Sequence, residues 1–379
     1  MKRDNSRIAP DKVCLIKIQL YCIIFLLCSK GAVVTYKFGI IGSFNKDAAT
    51  DGQTVKTLEI VKAFKEKYGD KNIGEFSYHA VKGNPLKLTL LILSALKNSE
   101  KLVLTLRGDA MRTLVKIINI LNVFFKRELH FILVGGALYD VLEKNPDLIP
   151  LAKRIKTFFV ETDILKDKLL SLGLRNVYML SNFKYIKLFK KEELPENSYP
   201  LKLVFLSRVT ALKGVTEAVE IIKKINSEKE VFSLDIYGPI DESFSEEFEA
   251  LLKSSPTYIN YKGVISAWES SEILHNYFLQ LFPTRCLTEG HPASVIDSFF
   301  AGLPVLAARW NYCREMIKEN EVGLSYEFDN FEEFEKILRE CAENPEKITA
   351  MRVNCLKEAE KYLPSKVTEN LFGILEGKE

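Results

Sequence analysis

Two carboxylates and two cations in the second half of the chain have the types and spacing to do chemistry. In FPTRCLTEGHPASVIDSFFAGLPVLAARW, residues 282–310, Glu289 follows a short apolar run, Gly290 and Pro292 come next, and Asp297 lies eight residues after Glu289. Gly290 supplies backbone freedom, and Pro292 suits a first helical turn, where its missing N–H costs nothing. A helix is therefore predicted to begin beside Glu289. The unpaired N–H groups and positive dipole end of such a helix hold anions. Glu289, just outside it, is placed to accept hydrogen bonds from hydroxyls carried by that anion, which fits a sugar phosphate. Asp297 stands about 12 Å further along at roughly 1.5 Å per residue, too far for a close acid/base pair. The two carboxylates are expected to grip different parts of one long ligand.

The opposite charge comes from FLSRVTALKG, where Arg208 ends a predicted strand and Lys213 sits five residues later, before Gly214 and the next helix. Two cations on one strand-to-helix loop can neutralise a diphosphate leaving group. The sequence has no D-x-D pair and its four histidines, at 79, 130, 275 and 291, are scattered. The chemistry is therefore expected to need neither metal nor cofactor, only a nucleotide-sugar substrate. Each residue alone has a plain alternative: Arg208 or Lys213 as a solvated charge, Glu289 as a helix-terminus partner. Their conjunction at strand ends points to a sugar-nucleotide site. His291 is read as structural or as a backbone donor at that site, with direct sugar contact as the other reading.

Holding such residues at strand ends calls for parallel sheets. At 379 residues the chain exceeds one ordinary core, so two domains of roughly 150–200 residues are expected. From Tyr36, short β-rich runs alternate with amphipathic helices, an α/β pattern of parallel sheets covered on both faces. YKFGIIG reads as the first strand, and GQTVKTLEIVKAFKEKYG as a helix with Val55, Leu58, Val61 and Phe64 on one face. Strands follow at FSYHAV, KLVLTL, HFILVG, KTFFVE and VYMLSN. Residues 184–200, charged and with two prolines, read as a linker. A second series then runs through LKLVFLSR, a helix with Val215, Ala218, Val219, Ile222 and Ile225 inward, FSLDIYG, INYKGV, LQLFP, PVLAA and GLSYEF. The expected architecture is two Rossmann-like domains, 35–183 and 201–363, facing across a cleft, with a helix at 364–379 that restarts at Pro364 and can cross back.

The 53 basic and 50 acidic residues leave a net charge of +3, far from the excess of a general nucleic-acid binder. Seven cysteines, an odd total with no CxxC pair, argue against a disulfide framework or thiolate metal site and favour a reducing compartment. Cys286, beside the acidic motif, is read as a small buried hydrophobe. Residues 1–34 join a basic lead to an apolar stretch clean only from Leu20 to Cys28, with Lys17 and Gln19 interrupting it. An interfacial anchor, a nonfunctional upstream extension and a cleaved signal all stay open for it. The basic KYIKLFKK and the acidic DESFSEEFE read as solvated faces, the former also suited to anionic headgroups.

The chain resembles the retaining glycosyltransferases of family 4, which have the GT-B fold of two Rossmann-like domains. The resemblance covers roughly residues 36–375 and is strongest over 201–325, where FLSRVTALKG, DIYGP and LFPTRCLTEGHPASVIDSFFAGLPVLA stand in the family's order and spacing. It implies that Arg208 and Lys213 bind the donor diphosphate with the amides around Gly290 and Ala293, while Glu289 holds the hexose. Asp297 replaces the family's second Glu, which binds the ribose hydroxyls, and is one carbon shorter. In TDGQTVKT, Gly52 matches the loop that closes over the phosphates; in HFILVGGALYD, Gly135 and Gly136 stand where many relatives place a sugar-contacting histidine. VETDILKDKLLSLGLRNVYMLSNFK resembles the last strand, helix and strand of the first domain. The resemblance implies sugar transfer to a glycan acceptor, lipid-linked by expectation, in bacterial capsule or exopolysaccharide synthesis at the inner face of the cell membrane. A sugar-nucleotide 2-epimerase and a catalytically silent sugar-nucleotide-binding partner subunit are the alternatives.

Overall fold

Apolar runs buried on both faces form the strands, as parallel sheets require. The computed structural model describes residues 35–44, 52–81 and 83–378; the expectation for residues 1–34 lies outside them. The first sheet has the order β2-β1-β3-β4-β5-β6, with β1 Tyr36–Gly42, β2 Ile73–Ser77, β3 Ser99–Arg107, β4 Glu128–Val134, β5 Thr157–Val160 and β6 Val177–Met179. The second has the order β12-β11-β10-β7-β8-β9, with β7 Leu201–Leu206, β8 Phe232–Tyr237, β9 Ile259–Gly263, β10 Leu279–Phe282, β11 Val305–Ala308 and β12 Gly323–Tyr326. Every pairing between these strands is parallel.

Crossover helices join them. The first half has α1 Gly52–Tyr68, α2 Pro85–Asn98, α3 Met111–Phe125, α4 Leu138–Lys144 and α5 Asp163–Ser171. The second has α6 Val215–Ile225, α7 Ser245–Lys253, α8 Ala293–Phe300, α9 Phe331–Glu343, α10 Pro345–Ala359 and α11 Pro364–Glu376. In α6 the inward face is the expected one, with Val215, Ala218, Val219, Ile222 and Ile225 all buried.

Two elements differ from the sequence reading. The strand expected over FSYHAV begins earlier and stops at Ser77, because its partner β1 ends at Gly42, opposite Ser77; His79–Val81 is a 3₁₀ turn. α1 buries far more than one stripe: α11 packs with Ile60, Val61, Ala63 and Phe64, while Lys56 reaches Leu133 O and Glu161, Thr57 meets Thr105, and Glu59 lies beside Lys184. Phe372 of α11 meets Phe64 edge-on with ring centroids 5.2 Å apart, and Tyr68 donates to Glu376 at 3.0 Å. The final helix of the chain therefore packs on the first sheet.

Residues 184–200 hold only one 3₁₀ turn, Lys191–Glu193, and lie against the rest of the protein: Lys184 N donates to Tyr362 O at 3.0 Å, and Phe189 stacks on His275 at 3.7 Å. Among the described residues no helix is long and apolar enough to cross a membrane.

Candidate functional site

The carboxyl ends of the two sheets meet around a cavity of about 560 Å³. Arg208, Lys213, Glu289, Gly52, Gly290, His291, Ala293 and Asp297, the residues selected from sequence, all line it. Their positions follow from the strand ends.

After β7 the chain passes Arg208 and turns at Ala211–Lys213 into Gly214, at φ 72. That left-handed conformation suits glycine, and a Cβ there would stand 2.0 Å from Pro283 O. This close approach brings the loop against the end of β10, where Lys213 forms an ion pair with Glu289. Thr284 Oγ1 also donates to Glu289 at 3.0 Å. The ammonium expected at the diphosphate and the carboxylate expected at the hexose thus contact one another. Arg208, about half exposed, reaches to 3.9 Å from Asp241. Pro292 caps α8 instead of occupying its first turn, with its carbonyl accepting from Val295 N at 3.1 Å. Cys286 is half-buried and lines the cavity, more open than a core hydrophobe.

Facing these residues is a buried carboxylate that the sequence reading passed over. Glu161, directly after β5, accepts from Lys56 Nζ at 2.5 Å and from His291 N at 3.0 Å. Burial opposes its ionisation, but the Lys56 ammonium and the His291 amide outweigh that and hold its carboxyl below the usual range. His291 is thus a backbone donor; burial pushes its imidazole down to about 4, so the ring is neutral at physiological pH. Both ring nitrogens are buried, and neither has a hydrogen-bond partner among the described residues.

The same contact accounts for the glycines. A Cβ on Gly290 would lie 2.0 Å from Glu161 Oε2 and 3.2 Å from Gly135 Cα, and one on Gly136 would lie 3.0 Å from Thr288 O. The VGG turn after β4 and the loop after β10 close on each other, backbone to backbone.

A second buried cluster surrounds Asp297. Lys184 Nζ lies 3.0 Å from Asp297 and 3.9 Å from Glu59 of α1, and all three side chains are buried. Burial pushes the Glu59 carboxyl up to about 7, with Lys184 pulling it down. Burial raises Asp297 as well, again against Lys184. Lys184 itself is held above its ordinary range, because the two carboxylates outweigh the desolvation of its charge. KYIKLFKK, read as a solvated face, therefore begins with a buried cation. Placement immediately past a parallel strand, the feature that singled out Arg208, also describes Glu161, and Lys184 lies a few residues beyond β6. Lys56 and Glu59 lie beside the predicted apolar stripe of α1 and carried no signal of burial in the sequence.

Residues 187–361 match the family model described as Glycosyl transferases group 1. No curated protein matches the sequence. Several solved structures share the fold. HepE from Anabaena, solved with UDP, is 12% identical, with a TM-score of 0.70 over 90% of this chain and 99% of that one. Sucrose-phosphate synthase from Thermosynechococcus elongatus is 11% identical, with a TM-score of 0.72 over 91% and 100%. The pneumococcal O-GlcNAc transferase GtfA, solved with UDP and GlcNAc, is 17% identical, with a TM-score of 0.56 over 73% and 56%. The architecture is the GT-B one, two Rossmann-like domains facing across a cleft, and its second half carries a Glycosyl transferases group 1 domain.

Proposed function

We propose that this protein is a metal-independent, retaining glycosyltransferase that moves a sugar from a nucleoside-diphosphate sugar to a hydroxyl of a lipid-linked glycan, in bacterial surface polysaccharide synthesis. One observation carries the reading. A single interdomain cavity is lined at once by Arg208, Lys213, the start of α8 and two acidic residues on that wall, Glu289 and Asp297. That set matches an anion at one point and hydroxyls on either side of it. HepE has also been solved with UDP-glucose, which makes uridine diphosphate sugars the first donors to try.

In this reading the donor diphosphate lies between Arg208, Lys213 and the amides around Gly290 and Ala293. Its negative charge draws Lys213 from Glu289, and the released carboxylate accepts hydrogen bonds from the hexose. The start of α1 at Gly52 closes the phosphate end, and Asp297 with Lys184 faces the pentose. The C–O bond to the diphosphate breaks as the acceptor oxygen attacks the same face of the anomeric carbon. The leaving phosphate oxygen takes the acceptor proton, so no protein base is required, and Arg208 and Lys213 stabilise the charge that develops there. His291 is neutral, and its buried ring nitrogens have no hydrogen-bond partner among the described residues, so a sugar contact would require the imidazole to turn toward the cavity.

The test is a panel of nucleoside-diphosphate sugars screened for thermal stabilisation, since a ligand bound only by the folded state raises the melting temperature. Product analysis follows, with and without glycan acceptors. Sugar appearing on the acceptor supports transfer; an isomerised donor formed without acceptor would point to an epimerase, and binding with no turnover to a silent partner subunit.

A further inference from the structure

We propose that the outer faces of α2 and α3 form a docking surface for an anionic lipid bilayer. Of the twelve large hydrophobic side chains exposed among the described residues, five lie on these two helices: Leu86 and Leu90 on α2, and Ile120, Val123 and Phe124 on α3. Both helices pack their other faces into one core under the first sheet, with Leu88, Ile92, Leu114 and Ile118 buried there, so the exposed apolar residues share one side of the domain. A groove of about 400 Å³ opens beside α3, walled by Ile120, Val123, Phe124 and Leu151, with Lys116 and Arg154 also lining it.

Basic side chains outnumber acidic ones around these residues. Neither helix contains an acidic residue. Residues 83–127 carry eight Lys and Arg against Glu100 and Asp109, a net +6 where the whole chain has +3. Lys87, Arg112 and Lys126 are exposed around the apolar side chains, as are Lys153 and Arg154 nearby. Lys116 pairs with the exposed Asp147, and Arg127 Nε donates to Leu96 O. Apolar side chains that enter the headgroup boundary, surrounded by cations that meet lipid phosphates, are the two components of interfacial attachment. Charge complementarity selects an anionic surface, since a neutral protein partner would gain nothing from this concentration of Lys and Arg.

The placement bears on the proposed site and, in its purpose, rests on that reading. α3 begins directly after Arg107, Gly108 and Asp109, which line the interdomain cavity. The exposed Ile120, Val123 and Phe124 lie nine to thirteen residues further along α3, roughly 14–20 Å from that end at 1.5 Å per residue, so a bilayer held there leaves the cavity open to an acceptor that reaches it from the membrane.

The test is sedimentation of the full chain with vesicles of phosphatidylcholine alone or mixed with phosphatidylglycerol, without any sugar nucleotide, so that its failure is distinct from failure of the transferase reading. The expected result is at least tenfold tighter binding to the phosphatidylglycerol vesicles, weakening with salt. Ile120→Glu/Val123→Glu and, separately, Lys116→Glu/Arg154→Glu should each lose most of it while keeping the thermal unfolding midpoint. Equal binding to both vesicle types, or variants that bind as the unaltered chain does, would overturn the proposal. So would self-association without lipid that the Ile120→Glu/Val123→Glu change abolishes, because that assigns the surface to a second copy of the chain.

Discussion

Lys184 Nζ lies 3.0 Å from Asp297 Oδ1, with both side chains almost wholly buried. Lys184 follows the last strand of the first sheet and Asp297 projects from α8 in the second half, so this ion pair spans the two halves at the floor of the cavity. Glu59 on α1, 3.9 Å from the same ammonium, completes a cluster in which one cation serves two carboxylates.

Removing that cation strands both acids. Lys184→Met is expected to lower the unfolding free energy by about 3 kcal/mol, because breaking a buried pair leaves its partner's charge uncompensated. Pairing it with Asp297→Leu should recover a large part of the loss. Denaturant titration of the single and double variants measures the difference; an unaffected single variant contradicts the cluster.

The pH dependence of stability tests Glu59. Its folded carboxyl titrates near 7 against an ordinary 4.5, so between those values the native state holds a proton that the unfolded state has released, and stability from this group falls as pH rises. Glu59→Gln removes that fall. The variant should gain on the unaltered protein by up to about 3 kcal/mol between pH 4.5 and 8, at 1.36 kcal/mol per pK unit. His130 and His291, both pushed down to about 4 by burial, give the opposite slope below their ordinary values, but they are present in both proteins and cancel.

Two glycines in the cavity wall should behave differently. Gly290→Ala forces a methyl to within 2.0 Å of Glu161 Oε2, at the contact between the halves, whereas a Cβ on Gly52 meets nothing within 4 Å. The first substitution is expected to cost about 2 kcal/mol by overpacking and to suppress turnover, and the second to leave stability within about 0.5 kcal/mol. Thermal melts with a transfer assay distinguish them, and equal effects would contradict the close approach.

The proposed transfer relies on protein cations and the donor's own phosphate oxygen. Its rate should therefore survive millimolar EDTA. Loss of activity on chelation, restored by a divalent cation, would assign the diphosphate to a metal instead.

The strand series, the sheets and the acidic and basic loops were legible because their signals are local: short apolar runs, a helix stripe, charges at strand ends. Arg208, just past β7, was singled out in this way, and Asp297 by its spacing from Glu289. What escaped was the pairing between distant segments. The ion pair of Lys213 and Glu289 depends on how tightly Gly214 approaches Pro283, and the burial of Lys56 and Glu59 depends on Glu161 and Lys184, which follow β5 and β6 far along the chain. Nothing in KYIKLFKK distinguishes Lys184, which is buried, from the more exposed Lys187, because the difference lies in what the fold places above each.

Turnover of Lys213→Ala with a nucleoside-diphosphate sugar that the unaltered protein binds tests the central claim most directly. Lys213 and Glu289 are both partly exposed, so the substitution should leave the melting midpoint nearly unchanged. The account predicts a fall in kcat of roughly 10²–10³-fold, the scale of losing one preorganised donor from a developing negative charge. A variant that transfers sugar at close to the original rate would contradict it.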